Sequence, residues 1–249
     1  MGRLIWRVAR VVEARDETPR ARSILLSVPD WPGHLPGQRV DVRLTAEDGY
    51  QAQRSYSLAS APADPWLMLT VERVQGGEVS PYLTDELRAG DALELRGPIG
   101  GYFVWDTARG GPLLLLAGGS GMVPLMSMLR HRKRLRQAGG RVVPARLLYS
   151  CRTETDILYR RELDALAADP AVGVWYALTR AQPGDQADFR RRIDLAMLRS
   201  VAWGPEAEPA IFVCGGHGFV EAAASALLAL GHAADRIRTE RFGPSGGMA

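Results

Sequence analysis

Arg54-Ser55-Tyr56-Ser57 places a cation, an aromatic ring and hydroxyls on adjacent and alternating positions of one extended segment. A guanidinium suits a phosphate and a ring suits a flat heterocycle, so these residues could grip one planar, anionic ligand. An ordinary strand with a surface arginine is the alternative. Gly76-Gly77-Glu78-Val79-Ser80-Pro81-Tyr82-Leu83 follows, glycines leading into a short helix expected at 81–88 whose free N–H groups, with Ser80, suit a diphosphate. Arg96-Gly97-Pro98-Ile99-Gly100-Gly101-Tyr102-Phe103 taken alone is a Gly/Pro-rich turn. Further on, the apolar run Leu113–Leu116 meets Ala117-Gly118-Gly119-Ser120-Gly121 and then Pro124. This pattern predicts a buried strand, a glycine turn able to approach a phosphate, and a helix start supplying donors and a positive dipole end. It is not the GxGxxG fingerprint. A second apolar run, Ile211–Val213, ends at Cys214-Gly215-Gly216-His217-Gly218. A lone cysteine there is ordinarily a small buried hydrophobe. His217 is expected to be an exposed loop residue rather than a catalytic base.

The elements that carry these residues follow from hydrophobic rhythm. From Trp6 to about Trp105 short alternating runs (WRVARVVEA, ARSILLSV, QRVDVRL, QRSYSLAS, PWLMLTVERV, DALELRGPI) are separated by turns such as Glu47-Asp48-Gly49, which predicts a small six-stranded antiparallel barrel. Ala108-Arg109-Gly110-Gly111-Pro112 marks a hinge. After it, the apolar runs LLLLAG, ARLLYS, VGVWYAL and AIFVCG alternate with the helical stretches MVPLMSMLRHRKRLRQ, ILYRRELDALAAD and GFVEAAASALLALG. That alternation predicts a parallel α/β sheet covered on both faces, with a nucleotide at the carboxyl ends of its strands. The expected domains are 1–107 and 113–249.

Composition narrows the function classes. Among 249 residues only Cys151 and Cys214 are cysteines, so neither a disulfide framework nor a four-cysteine iron–sulfur or zinc site can form within the chain. A net charge of +3, carried almost wholly by arginine, gives poor support for nucleic-acid binding. Arg130-His131-Arg132-Lys133-Arg134 with Arg136 is expected to form a solvated helix face, with a docking surface for an acidic partner as the other reading. No stretch reaches the roughly 20 apolar residues of a spanning helix. The N-terminal segment lacks a secretory pattern, so a cytoplasmic, soluble, monomeric protein without membrane association is expected.

Taken together and in this order, the Arg54–Ser57, Gly76–Leu83 and Arg96–Phe103 segments resemble the flavin-binding barrel of the ferredoxin-NADP reductase superfamily, and Gly118-Gly119-Ser120-Gly121 with Pro124 looks like the motif with which that superfamily binds the NAD(P)H diphosphate. The resemblance covers nearly the entire chain. It implies FAD as cofactor, FMN being the alternative, with Arg54 on the flavin phosphates, Tyr56 on the isoalloxazine and Ser57 near the flavin N5. Ser55, Val71, Gly77, Val79 and Ser80 would complete the flavin site. Cys214 and Gly215 match the family's Cys-Gly-Pro segment beside the nicotinamide, with Gly216 where proline is usual, a change expected to loosen the turn. Arg238-Thr239-Glu240-Arg241-Phe242-Gly243 resembles the closing segment: Glu240 would join Ser57 and Cys214 as catalytic residues, and Phe242 would cover the flavin. Here, unlike in plant-type members, the chain continues through Pro244–Ala249.

A 2′-phosphate needs arginines and a free ribose hydroxyl favours an acid. Thr179-Arg180 resembles the Ser-Arg pair of NADPH-using relatives, and Arg190, Arg191 and Arg192 cluster a short loop away, with Arg152 at the preceding turn. Glu154 and Asp156 argue for NADH. NADPH is favoured over NADH. The resemblance implies an NAD(P)H-dependent reductase passing electrons to a separate redox protein, such as a ferredoxin or an iron–sulfur oxygenase component. A flavin or ferric reductase acting on a free small acceptor, or a non-catalytic flavin-binding module, are the competing readings.

Overall fold

The computed structural model describes residues 4–243. Pro244–Ala249, and with them the tail beyond the closing aromatic, lie outside the described residues. By packing the chain divides into two units, one formed by the segment up to Trp105 with Val123–Val142, the other by Asp106–Met122 with the chain from Val143 onward.

In the first unit β1 (Trp6–Thr18), β2 (Ala21–Ser27), β3 (Arg39–Thr45), β4 (Gln51–Ser57), β5 (Leu67–Glu72) and β6 (Ala92–Ile99) form an antiparallel sheet of order β4-β3-β6-β1-β2-β5. The bridge Leu58↔Leu69, with Ala59 N donating to Met68 O at 2.7 Å, joins the two end strands, so the sheet closes into the expected barrel. Alternating side chains fill it: Ala9, Val11, Ile24, Leu26, Val40, Val42, Leu69 and Leu95 form one buried core. The β3–β4 turn sets the register of the candidate flavin strand. Gly49 takes φ +86°, and the Asp48 carboxylate accepts from Tyr50 N at 2.9 Å. Val42 then stands opposite Arg54, Val40 opposite Tyr56 and Asp41 opposite Ser55.

In the second unit β7 (Leu113–Gly118), β8 (Ala145–Cys151), β9 (Val172–Leu178), β10 (Ala210–Gly215) and β11 (Ile237–Arg241) are all parallel, in the order β11-β10-β7-β8-β9. Leu114 and Leu116 join a core with α3 (Leu195–Val201) and α4 (His217–Ala229). Leu113 and Leu115 point the other way and are equally buried, so the run is apolar throughout because both faces of its strand are covered. Each such leucine contributes roughly 2 kcal/mol of burial. The sequence order of the strands reverses across the sheet between β7 and β10, and the carboxyl ends at such a switch point are where parallel sheets bind nucleotides.

Helix α1 (Met122–Gln137) begins at the glycine turn, and its body packs within the first unit. Its basic stretch is only in part the solvated face expected from the sequence, with Lys133, Arg134 and Arg136 exposed. Arg130 and Arg132 are buried, Arg130 donating to Ala59 O at 2.9 Å, while Arg134 pairs with Asp64 at 2.7 Å. A barrel carbonyl takes up Arg130 and a carboxylate takes up Arg134, and burial removes Arg130 and Arg132 from any docking surface.

Candidate functional site

One candidate site, in the first unit, lies on β4 and the turn after β5. Arg54 and Tyr56 occupy the pleat face of Val42 and Val40. Arg54 Nη1 donates to Gln53 O and Nη2 to Glu78 Oε2, each at 2.7 Å. Half-buried Tyr56 has its phenol pushed up to about 12 by desolvation, so it stays neutral and presents its ring as a flat, uncharged surface. Ser55 lies on the opposite face, its hydroxyl donating to Asp41 at 2.5 Å. Asp41 is buried and also accepts from Gln53 and Arg96, both at 2.9 Å, so it anchors the back of β4 rather than the ligand face. Ser57 ends the strand with a buried hydroxyl that has no hydrogen-bond partner. A buried unsatisfied hydroxyl costs about 1–3 kcal/mol, and a heteroaromatic nitrogen placed there would relieve it. The residues present therefore fit a flavin.

The turn after β5 is built by its own side chains. Gly76 takes φ +71°, Gly77 N donates to Val74 O at 3.0 Å, and the Ser80 hydroxyl accepts from Val74 N at 3.0 Å. A Cβ on Gly77 would stand 3.1 Å from both Ser80 Oγ and Val74 O, so a larger residue there would press on the turn. Val71 and Val79 pack in the barrel core. The turn runs into a single π-helical turn, Tyr82–Glu86, within the short helix expected at 81–88. Glu78 was not singled out from the sequence. Its carboxyl is held below the ordinary range first by the Tyr50 hydroxyl and then by Arg54.

A second candidate site, in the second unit, lies at the switch point. A Cβ on Gly121 would stand 2.1 Å from Cys214 O, and one on Gly118 or Gly215 would collide with the Phe219 ring at 2.8 and 2.9 Å. Three of the expected phosphate-turn and nicotinamide-segment glycines thus have a packing reason. Gly119, at φ +56° with open space around its Cα, and Ser120, both half-buried, form the crest of the turn. Cys214 is buried opposite Glu240, and burial first, with the Glu240 charge adding to it, pushes its thiol well above the ordinary range. It is therefore a neutral thiol and no nucleophile at physiological pH. Phe242 is half-buried and tied to this segment through its N–H on Gly215 O at 2.9 Å. Gly216 has φ −65°, the value proline would impose, so the departure from Cys-Gly-Pro leaves the turn's geometry intact. His217 is exposed, as expected, but opens α4 rather than sitting in a loop.

At the ends of β8 and β9, Arg180 N donates to Arg152 O at 2.7 Å and the Thr179 hydroxyl to Cys151 O at 3.2 Å, which sets Arg152 and Thr179-Arg180 side by side. Among the described residues the Arg152 and Arg180 side chains are exposed and make no hydrogen bond or ion pair. The nearby acids are committed elsewhere: Glu154 accepts from Arg160 at 2.8 Å, and Asp156 caps its own turn through Thr153. Arg190 and Arg191 depart from the expected phosphate cluster. Arg190 donates to Gln182 O and Asp185 O, and Arg191 pairs with Asp194, the carboxylate that caps α3, so both hold their own loop.

The barrel residues fit a flavin, and the parallel sheet with a glycine turn at its switch point fits a nucleotide. Residues 17–104 match the oxidoreductase FAD-binding domain family, and residues 115–225 the oxidoreductase NAD-binding domain family. Together the two matches span most of the chain, which therefore carries the FAD-binding and NAD-binding domains of oxidoreductases. The chain is 35% identical to a flavohemoprotein of Bordetella pertussis over 98% of this chain and 62% of that protein. It is 31% identical to the ferredoxin reductase component of a Mycobacterium tuberculosis 3-ketosteroid-9-alpha-monooxygenase over 94% of this chain and 64% of that one. The chain thus spans less than two thirds of the length of these relatives. Among solved structures, the FAD/NAD-binding domain of a Vibrio cholerae nitric oxide dioxygenase superposes with a TM-score of 0.80 at 27% identity, covering 96% of this chain and 99% of that one. No helix among the described residues is long and apolar enough to cross a membrane.

Proposed function

We propose that the chain takes hydride from NADPH onto FAD and passes electrons to a redox protein that it does not itself contain, such as a ferredoxin or an iron–sulfur oxygenase component. Arg54 holds the flavin phosphates, Tyr56 packs against the ring, Ser57 donates to the ring nitrogen that receives hydride, and the main chain of Gly77–Ser80 follows the diphosphate. Bound FAD supplies a two-electron acceptor that can return electrons singly. On the nucleotide side, Gly119 and Ser120 bind the diphosphate, while Cys214 and Glu240 border the nicotinamide, the thiol as a neutral contact. Arg152 and Thr179-Arg180 take the 2′-phosphate.

The observation that carries the choice of NADPH is that Arg152 and Arg180 make no ion pair while Glu154 and Asp156 are committed to Arg160 and to a cap. Two cysteines are too few for an iron–sulfur cluster in this chain, and the monooxygenase relative is named as a ferredoxin reductase component, which together support an acceptor elsewhere. A haem protein as acceptor is the second reading, favoured by the flavohemoprotein relatives. Anaerobic turnover with NADPH decides between acceptors: reduction of an added ferredoxin or haem protein at a rate far above that of free flavin or ferric chelate supports the proposal. Equal rates with free flavin would make the chain a small-acceptor reductase.

A further inference from the structure

The segment proposed to follow the FAD diphosphate carries an acid in its middle, Gly77-Glu78-Val79-Ser80. Glu78 Oε2 accepts from Arg54 Nη2 at 2.7 Å, and Oε1 accepts from the Tyr50 hydroxyl. The cation assigned to the flavin phosphates is therefore already engaged by a carboxylate from the neighbouring turn. The Arg54 and Glu78 side chains are 38% and 45% exposed. An ion pair so open to water contributes little, so a diphosphate bearing two charges can replace the carboxylate. When Arg54 turns away, Glu78 keeps its Tyr50 bond and its contact with water. The exchange strands no buried charge.

We propose that Glu78 competes with the flavin diphosphate for Arg54, holding the guanidinium until phosphate takes its place, and thereby sets the affinity for FAD. The inference rests on the assignment of Arg54 to the flavin phosphates. Glu78 acts through Arg54. It makes FAD binding weaker, and exchange with free flavin faster, than the cation alone would give.

The test is a double-mutant cycle on the flavin-stripped full chain, with Kd read from quenching of flavin fluorescence for FAD and for riboflavin, which lacks phosphate. Glu78→Gln is expected to tighten FAD by about three- to tenfold and to leave riboflavin unchanged. In an Arg54→Ala background the gain should shrink to less than about twofold, because the two residues act through one contact. A Glu78→Gln protein that binds FAD no better than the parent would overturn the proposal, as would a gain that persists undiminished without Arg54, since that is charge repulsion alone. Arg54→Ala with unchanged FAD affinity would remove the phosphate assignment itself, a separate result from loss of the Glu78 effect.

Discussion

Replacing Gly121 by alanine tests whether the glycine turn is shaped by contact with its own sheet. The added methyl would stand 2.1 Å from Cys214 O, 2.4 Å from Cys214 C and 2.7 Å from Gly215 N. All three atoms are main chain at the end of β10, so no side chain can swing aside. That strand is held to β7 in parallel register up to Cys214↔Ala117. Overpacking of a tight interior costs about 1–3 kcal/mol, and a main-chain obstacle puts this site at the upper end. For a chain of 249 residues each kcal/mol lowers Tm by about 2–4 °C, so a loss of about 6–12 °C is expected. Gly119→Ala is the control. There the methyl meets open space, and only the left-handed φ of +56° opposes it, a cost of about 1 kcal/mol. Its Tm should fall by about 2–4 °C. Melts followed by far-ultraviolet circular dichroism give both numbers. A Gly121→Ala protein melting within about 2 °C of the parent, or a Gly119→Ala protein that loses more, would refute the reasoning.

Three further outcomes are expected. Arg180→Ala should raise KM for NADPH about tenfold, a lost charge-assisted contact discounted for exposure, and leave NADH unaffected; equal losses for both nucleotides in steady-state assays would remove Arg180 from the 2′-phosphate. Ser57→Ala should keep FAD but slow its reduction by about ten- to a hundredfold, the value of one well-placed donor, and an unchanged rate in stopped flow would remove the hydroxyl from the mechanism. Burial holds His34 and His131 below their ordinary pKa of 6.5. Below about pH 6.5 the unfolded chain binds protons that the folded chain refuses, so Tm should fall with pH there and be flat above; a Tm that rises on acidification through that window would contradict the assignment.

Much of these sites was legible because their chemistry coincides with their punctuation. The β4 strand, the glycine turn and the cysteine at the end of β10 each combine a hydrophobic run with a stop, and such runs predict strands well. Pairing across the barrel was not legible. Nothing local says that Ser55 faces Asp41, because register is set by the Asp48-Gly49 turn and by partners more than ten residues away. The same holds for Glu78, which sits inside a quoted motif but meets Arg54 only through closure of the barrel. The arginines misled for a related reason: spacing shows a cluster, while burial of Arg130 and Arg132 and the loop contacts of Arg190 depend on tertiary acceptors. Helix α3, seven residues long, was too short for a periodic signal, although Asp194 at its start, accepting from Met197 N at 2.7 Å, is a capping residue type.

The central claim is that NADPH reduces a flavin held on β4. Anaerobic mixing of the FAD-loaded chain with NADPH tests it directly: the account predicts rapid bleaching of the visible flavin band, faster with NADPH than with NADH, whereas a flavin that stays oxidised with both nucleotides would contradict it.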